Sequence, residues 1–161
     1  MEVVIAAGLF AGTVTVAIAL LAGLLRQAGE LEARLTARRL PDAIKVELGR
    51  LATQGFDSLA AQVPVLSGAV AGGFALVADA DGGAVQALVN PASGAGRLPV
   101  NEQFFLVECW RYPDEPLRFD SSKACLALHV RVTWPYRLPA SSVPVPLGER
   151  IEQTFAVSIN R

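Results

Sequence analysis

Residues 3–25 read VVIAAGLFAGTVTVAIALLAGLL, a run of 23 residues without a charged side chain, Pro, Asn or Gln. As a helix rising 1.5 Å per residue this run spans about 35 Å, more than the ~30 Å hydrocarbon core of a membrane. A cleaved secretory signal, one alternative, carries a basic segment before a shorter apolar run. Here only Met1 and Glu2 precede the run. We therefore favour a retained, membrane-spanning helix over a cleaved signal or a buried core helix.

The composition of the whole chain excludes several classes of function. Its 161 residues correspond to one domain, and the net charge of −1 provides no basic field for a nucleic acid. One His, two Cys and one Met are too few to build a zinc, haem or iron–sulfur site in a single chain. We expect no metal, no cofactor and no nucleic-acid partner.

Helical character continues beyond the apolar run. Residues 26–40, RQAGELEARLTARRL, are rich in strong helix formers, and Leu24, Leu31 and Leu35 recur near helical spacing. The sequence therefore predicts one helix over residues 2–40 that projects into water, with an apolar face that needs a partner. Pro41 is expected to end or kink this helix.

A short second helix is predicted over residues 42–54. Its sequence, DAIKVELGRLATQ, places Ile44, Leu48 and Leu51 on one apolar stripe, and Gly55 is expected to terminate it.

Beyond residue 64 the apolar period changes from 3.6 to 2, which indicates strands. Residues 74–78 and 84–89 flank DADGG at 79–83 and predict a hairpin, whereas residues 90–99 predict a loop. Three further strands are predicted, over residues 103–112, 123–136 and 150–161. The apolar positions of the second of these are expected to share one face: Leu126, Leu128, Val130, Val132 and Trp134. The fold class is thus α+β, with an N-terminal helical region at 1–40 and a head domain at 41–161 that contains an antiparallel sheet of four or five strands.

The two cysteines are predicted to lie near each other. If the strands at 103–112 and 123–136 pair about the centre of the intervening loop, at residue 117, Cys109 faces Cys125. A disulfide closing that loop contributes about 3 kcal/mol in an oxidising compartment. Two free thiols are the alternative.

Candidate catalytic groups are few. Ser121, Ser122, Lys123 and His129 lack a nucleophile elbow or a matching acid, so a turn and a solvated strand face explain them better. The DADGG segment lacks the third acid and the bidentate Glu of a calcium loop. We expect the chain not to be an enzyme.

The first eleven residues, MEVVIAAGLFA, resemble the N-terminal segment of type IV pilins and of type II secretion pseudopilins. In that family a Glu opens an apolar helix with the pattern EVxxAxxIxA. The positions that match it are Glu2, Val3, Ile5, Ala6, Leu9 and Ala11. The family's basic leader, which ends in Gly, does not precede Met1, so either Met1 lies within a longer reading frame or the resemblance is accidental.

The resemblance implies a structural subunit of a bacterial type IV pilus or type II secretion-type assembly. Its partners would be other pilin-like subunits, assembly platform proteins and membrane lipid. Its helix would cross the inner membrane once, and its head would be periplasmic, although Arg26, Arg34, Arg38 and Arg39, read alone, place the head in the cytoplasm.

Glu2 is the first candidate assembly residue, because a carboxylate beside 23 apolar residues gains from pairing with a neighbouring subunit's N-terminal amine. Gly8 and Gly12, spaced four apart, would permit close helix approach. The competing hypothesis is a bitopic inner-membrane adaptor whose β-rich domain binds a protein partner.

Overall fold

The structure is a computed structural model that describes residues 2–65, 74–88, 97–139 and 141–161; the side chains of residues 2–7 are outside the described part. The chain divides into two compact units, Met1–Leu35 and Thr36–Arg161. The sequence-based boundary at residue 40 stays a prediction.

The first helix, α1, is longer than predicted. It runs over Glu2–Thr53 and contains Pro41 in its interior, so the expected end of the helix at Pro41 and the separate helix over 42–54 are wrong. Proline in a helix interior costs about 3 kcal/mol relative to Ala. Leu40, Ile44 and Leu48 are almost fully buried, and burial stabilises a side chain of this type by about 1.5–3 kcal/mol. Their combined burial outweighs the cost of Pro41, and the helix continues.

The short second helix, α2, lies at Phe56–Gln62, after Gly55. Gly55 has φ 153°, a conformation that disfavours other residues, and it separates α2 from α1 as the sequence predicts. Phe56, Leu59 and Ala60 of α2 are buried in the head.

Five strands form one antiparallel sheet in the order β2-β1-β3-β4-β5. Their bounds are β1 Ala75–Ala78, β2 Gln86–Ala87, β3 Phe105–Arg111, β4 Cys125–Trp134 and β5 Ile151–Asn160. Single 3₁₀ turns at Val100–Glu102 and Leu147–Glu149 precede β3 and β5. The predicted α+β class is confirmed, and the strands lie within two residues of their predicted limits at 103–112, 123–136 and 150–161.

The predicted hairpin joins β1 to β2, with Leu76 opposite Ala87 and Val77 opposite Gln86. Gly82 in its turn has φ 71°, and Asp79 Oδ1 accepts the backbone N–H of Gly83 at 2.9 Å. Most of the predicted loop over 90–99 lies outside the described residues.

The two faces of the sheet differ in chemistry. We call one the apolar face; it carries Leu76 of β1, Val107 and Cys109 of β3, and the predicted set of β4, Leu126, Leu128, Val130, Val132 and Trp134, all of which are buried. We call the other the mixed face. At one end it holds a small core of Ala75, Val77, Leu88, Leu98, Leu106 and Tyr136, and polar and aromatic side chains occupy the rest.

Candidate assembly site on the N-terminal helix

The apolar part of α1 is uncovered. Every side chain from Gly8 to Glu32 is exposed, including Leu9 at 68% and Phe10 at 71%. Soluble monomers rarely expose a contiguous apolar surface of this kind, whereas helices in lipid or in a subunit interface do. Within the described residues, α1 is the single helix long and apolar enough to cross a membrane, with a mean hydropathy of 2.2 in its most apolar window.

The two hydroxyls in this segment are already satisfied by the helix itself. Thr13 Oγ1 donates to the carbonyl of Phe10, and Thr15 Oγ1 donates to the carbonyl of Ala11, both at 2.8 Å. An unsatisfied hydroxyl is costly in hydrocarbon, so this arrangement removes a barrier to insertion. The segment can therefore lie in lipid without an external hydrogen-bond partner for these groups.

Gly8 and Gly12 lie on one side of α1 and line a shallow groove of about 440 Å³. The groove's other lining residues are Leu9, Thr13, Val16, Ala17 and Leu20. A Cβ atom added at Gly8 or Gly12 meets nothing within 4 Å. The chain by itself thus has no packing need for glycine at either position, although glycine costs about 1 kcal/mol relative to Ala in a water-exposed helix. A second helix packed closely against the groove would supply such a need.

Glu2 is the first residue of α1, but its side chain lies outside the described part. Its pairing with a neighbouring amine stays a prediction. The structure places Glu2, Gly8 and Gly12 on the same helix, and it brings Gly8 and Gly12 together at one groove.

The apolar positions predicted in the second half of α1 differ in burial. Leu24, Leu31 and Leu35 are exposed at 49–63%, so the face that they form is uncovered in the single chain. Ile44 and Leu48 are fully buried, as expected of a stripe that faces the head, and Leu51 is partly buried.

The predicted Cys109–Cys125 bridge is absent, and both thiols are free. Cys109 lies opposite Val130, a register five residues away from the one that was assumed, and Cys125 lies opposite Asn160 of β5. An odd register shift reverses the faces, so Cys125 is on the mixed face and Cys109 on the apolar face. The assumed register would have set Val107 against Ala127, whereas the observed one sets Val107 against Val132 and keeps the apolar side chains together.

Burial raises the pKa of the Cys109 thiol to about 12, and the neighbouring Glu108 carboxylate adds to this shift. Thiolate is the reactive form of cysteine, so Cys109 is chemically inert at neutral pH. Cys125 is exposed.

A row of aromatic and charged side chains on the mixed face was missed by sequence reasoning. His129 lies between two rings, with its centroid 3.8 Å from that of Tyr112 and 5.6 Å from that of Trp110. Arg131 lies over Trp110 at 5.7 Å and forms an ion pair with Glu108. Alternation along β3 and β4 assigns the members of this row to the mixed face. Their contacts also depend on the register, which sets His129 opposite Trp110. The row fixes the two central strands against each other.

The long apolar helix followed by an antiparallel sheet is compatible with a pilin-like fold. Comparison of the chain with protein-family models, with curated proteins and with solved structures finds no significant match.

Proposed function

We propose that the chain is a pilin-like or pseudopilin-like structural subunit, of the minor kind, in a bacterial type IV pilus or type II secretion-type assembly. One observation carries the proposal: α1 exposes an apolar surface with a groove lined by two glycines over residues 8–20, and it continues into a head built on a five-stranded sheet. The apolar surface of such a helix is covered by lipid before assembly and by neighbouring helices after it. The head is periplasmic in this proposal, and α1 crosses the inner membrane once.

The groove suits helix packing because two of the residues that line it, Gly8 and Gly12, have no side chain. Packing in lipid gains little from hydrophobicity and depends on close van der Waals contact, which small residues at a four-residue spacing allow. Gly8 and Gly12 have that spacing, and Val16 and Leu20 extend the same side of α1. A neighbouring pilin-like helix is therefore the partner that this surface fits best.

In this proposal Glu2 sets the register between neighbouring subunits. A carboxylate at the apolar end of α1 is costly in lipid unless a cation compensates it. The N-terminal amine of an adjacent subunit is the cation that a staggered bundle brings to this level. The pair forms only when the subunits are in register, so it favours one arrangement over many.

The test is crosslinking between subunits in cells. A photo-crosslinking amino acid replaces Leu20, which lines the groove, in the otherwise wild-type chain and in the Glu2→Ala variant. We expect equal membrane abundance but at least a fivefold loss of crosslinks to pilin-like subunits in the variant. The matched control is Glu30→Ala, because Glu30 is exposed on the same helix and lies beyond the apolar run at residues 3–25.

Equal crosslinking in the Glu2→Ala and Glu30→Ala chains would reduce Glu2 to an interfacial residue. Crosslinks from Leu20 to a single unrelated membrane protein, unaffected by Glu2→Ala, would support the bitopic adaptor and contradict the proposal.

A further inference from the structure

A cavity of about 270 Å³ lies in the head at the end of β3. Six residues line it: Val65, Arg111, Tyr112, Pro113, Arg118 and Phe119. Two are arginines, and the other four carry apolar surface next to them. Pockets for drug-sized ligands occupy about 300–1,000 Å³, so this cavity fits a ligand smaller than a typical drug.

The two arginines of the cavity have no carboxylate partner among the described residues, in which four ion pairs occur. Two nearby carboxylates are already engaged, since Glu108 binds Arg131 and Glu115 binds Lys123 at 2.9 Å, and Asp114 forms none of the ion pairs of the described residues. Asp120 accepts the backbone N–H of Ser122 at 2.8 Å, and this bond is the main reason why the pKa of its carboxyl is lowered; the Arg118 charge contributes less.

Arg111 is half-buried, and its Nε atom is shielded from water without an acceptor in the described part of the chain. A donor that is shielded from water and lacks a partner is costly. The Nε–H of Arg111 therefore has an unmet demand for a hydrogen-bond acceptor.

The cavity wall is held in place by its own contacts. The backbone N–H of Arg111 donates to the carbonyl of Pro64 at 2.7 Å. The Lys123 ammonium binds the carbonyls of Arg118 and Pro116 at 2.8 and 3.1 Å, in addition to Glu115. Since an ammonium has three donors, these contacts use all of them and fix the loop that carries Arg118.

We propose that this cavity binds a small carboxylate attached to a planar apolar body. The guanidinium groups of Arg111 and Arg118 match the two oxygens of a carboxylate. The rings of Tyr112 and Phe119, with Val65, provide apolar surface for the attached body. This binding activity is independent of assembly through α1.

The test uses the full-length chain in detergent micelles, with benzoate as the probe. Arginine Nε–Hε signals in a two-dimensional nitrogen–proton spectrum report on Arg111, whose signal is identified by its loss in Arg111→Lys. We expect a saturable shift of this signal with benzoate. Acetate, which lacks the ring, and benzyl alcohol, which lacks the charge, should each bind at least tenfold more weakly.

Two variants locate the site. Arg111→Gln and Arg118→Gln should each weaken benzoate binding at least tenfold, followed in these variants by the change in tyrosine and tryptophan fluorescence. Arg97→Gln is the matched control, because Arg97 is exposed and does not line the cavity, and it should stay within twofold of wild type. If Arg111→Gln fails to fold, Arg118→Gln decides alone, since Arg118 is exposed and its loop is held through the backbone.

Three results would overturn the inference. They are a linear, non-saturating response to benzoate, an equal response to sodium chloride at the same ionic strength, and equal binding by wild type and Arg118→Gln. Tighter binding of inorganic phosphate than of benzoate would also contradict it, because the ring surfaces would then contribute nothing.

Discussion

Glu108 of β3 and Arg131 of β4 lie directly opposite each other, and Arg131 donates to Glu108 Oε2 from Nε at 3.0 Å and from Nη2 at 2.9 Å. Their side chains are 11% and 20% exposed, so solvent screens the pair only partly. The same guanidinium covers the ring of Trp110. The pair thus links the two central strands through a charge contact and a cation–aromatic contact.

Arg131→Ala should lower the free energy of unfolding by about 2–3 kcal/mol, because it leaves the Glu108 carboxylate buried without a partner. Glu108→Gln should cost about 1 kcal/mol, since an amide oxygen still accepts from the guanidinium. The measurement is denaturant unfolding of the full chain in detergent, followed by tryptophan fluorescence. Glu115→Gln is the control, because it removes the charge from the more exposed pair with Lys123, and such pairs contribute about 0–1 kcal/mol. A cost for Arg131→Ala no larger than that of the control would contradict the prediction.

The strands were predicted correctly, whereas the register between β3 and β4 was predicted wrongly. Alternation of apolar and polar side chains located β3, β4 and β5 and assigned the two sides of β4, because one face of the sheet is buried. The cysteine pairing assumed instead that the loop between β3 and β4 is symmetric. Matching the apolar positions of both strands would have excluded that register, since it sets Phe105 opposite His129.

The extent of α1 was underestimated for a different reason. The predicted end of the helix at Pro41 considered only the local cost of proline. The burial of Ile44 and Leu48, which outweighs that cost, is present only in the folded head. The cavity lined by Arg111 and Arg118 could not be predicted either. The two residues come together through a loop whose sequence carries no periodic pattern.

In the native protein, a maleimide should modify Cys125 and leave Cys109 unmodified. Cys125 is exposed, whereas Cys109 is 2% exposed and the pKa of its thiol is raised to about 12. Because the Cys109 thiol stays protonated until the pH approaches that value, Cys109 should remain unlabelled when the pH is raised from 7 to 9. Mass spectrometry of peptides counts the labels, and both cysteines should react after unfolding. Equal labelling of both in the native state would show that the apolar face is open to solvent.

Gly82→Ala should destabilise the head by about 2 kcal/mol or more. A Cβ atom there would lie 2.9 Å from Thr36 Cγ2 and 3.2 Å from Leu40 Cδ2, and φ of 71° alone costs a non-glycine residue about 1–2 kcal/mol. Gly83→Ala is a close control, because a Cβ at Gly83 meets nothing within 4 Å. Thermal unfolding followed by circular dichroism compares the two variants. Similar midpoints would mean that the hairpin turn does not contact α1 at Thr36 and Leu40.

Pro41→Ala should raise the free energy of unfolding by about 1–3 kcal/mol. Alanine restores the N–H that proline lacks, and Ala is the better residue in a helix interior. The burial of Ile44 and Leu48 should be unchanged, since the helix already continues through Pro41. Lys45→Ala, at an exposed position one turn later, gives the background effect of an alanine in this helix. A loss of stability in Pro41→Ala would show that the head requires a helix interrupted at this residue.

Gly12→Leu should abolish assembly while membrane insertion stays intact. Leucine increases the hydropathy of α1, and a Cβ at Gly12 meets no atom of the chain itself, so neither insertion nor folding has a reason to fail. The added side chain fills the groove between Leu9 and Val16, however, and holds a partner helix away by the width of an isobutyl group.

Gly23→Leu is the matched control, because Gly23 lies on the same helix, is equally unhindered and does not line the groove. The readout is the yield of crosslinks from the probe at Leu20, normalised to the amount of each variant in the membrane. We expect at least a tenfold loss for Gly12→Leu and less than a twofold change for Gly23→Leu. Equal losses in the two variants would assign the effect to bulk anywhere on α1, and equal yields would remove the groove from the assembly surface.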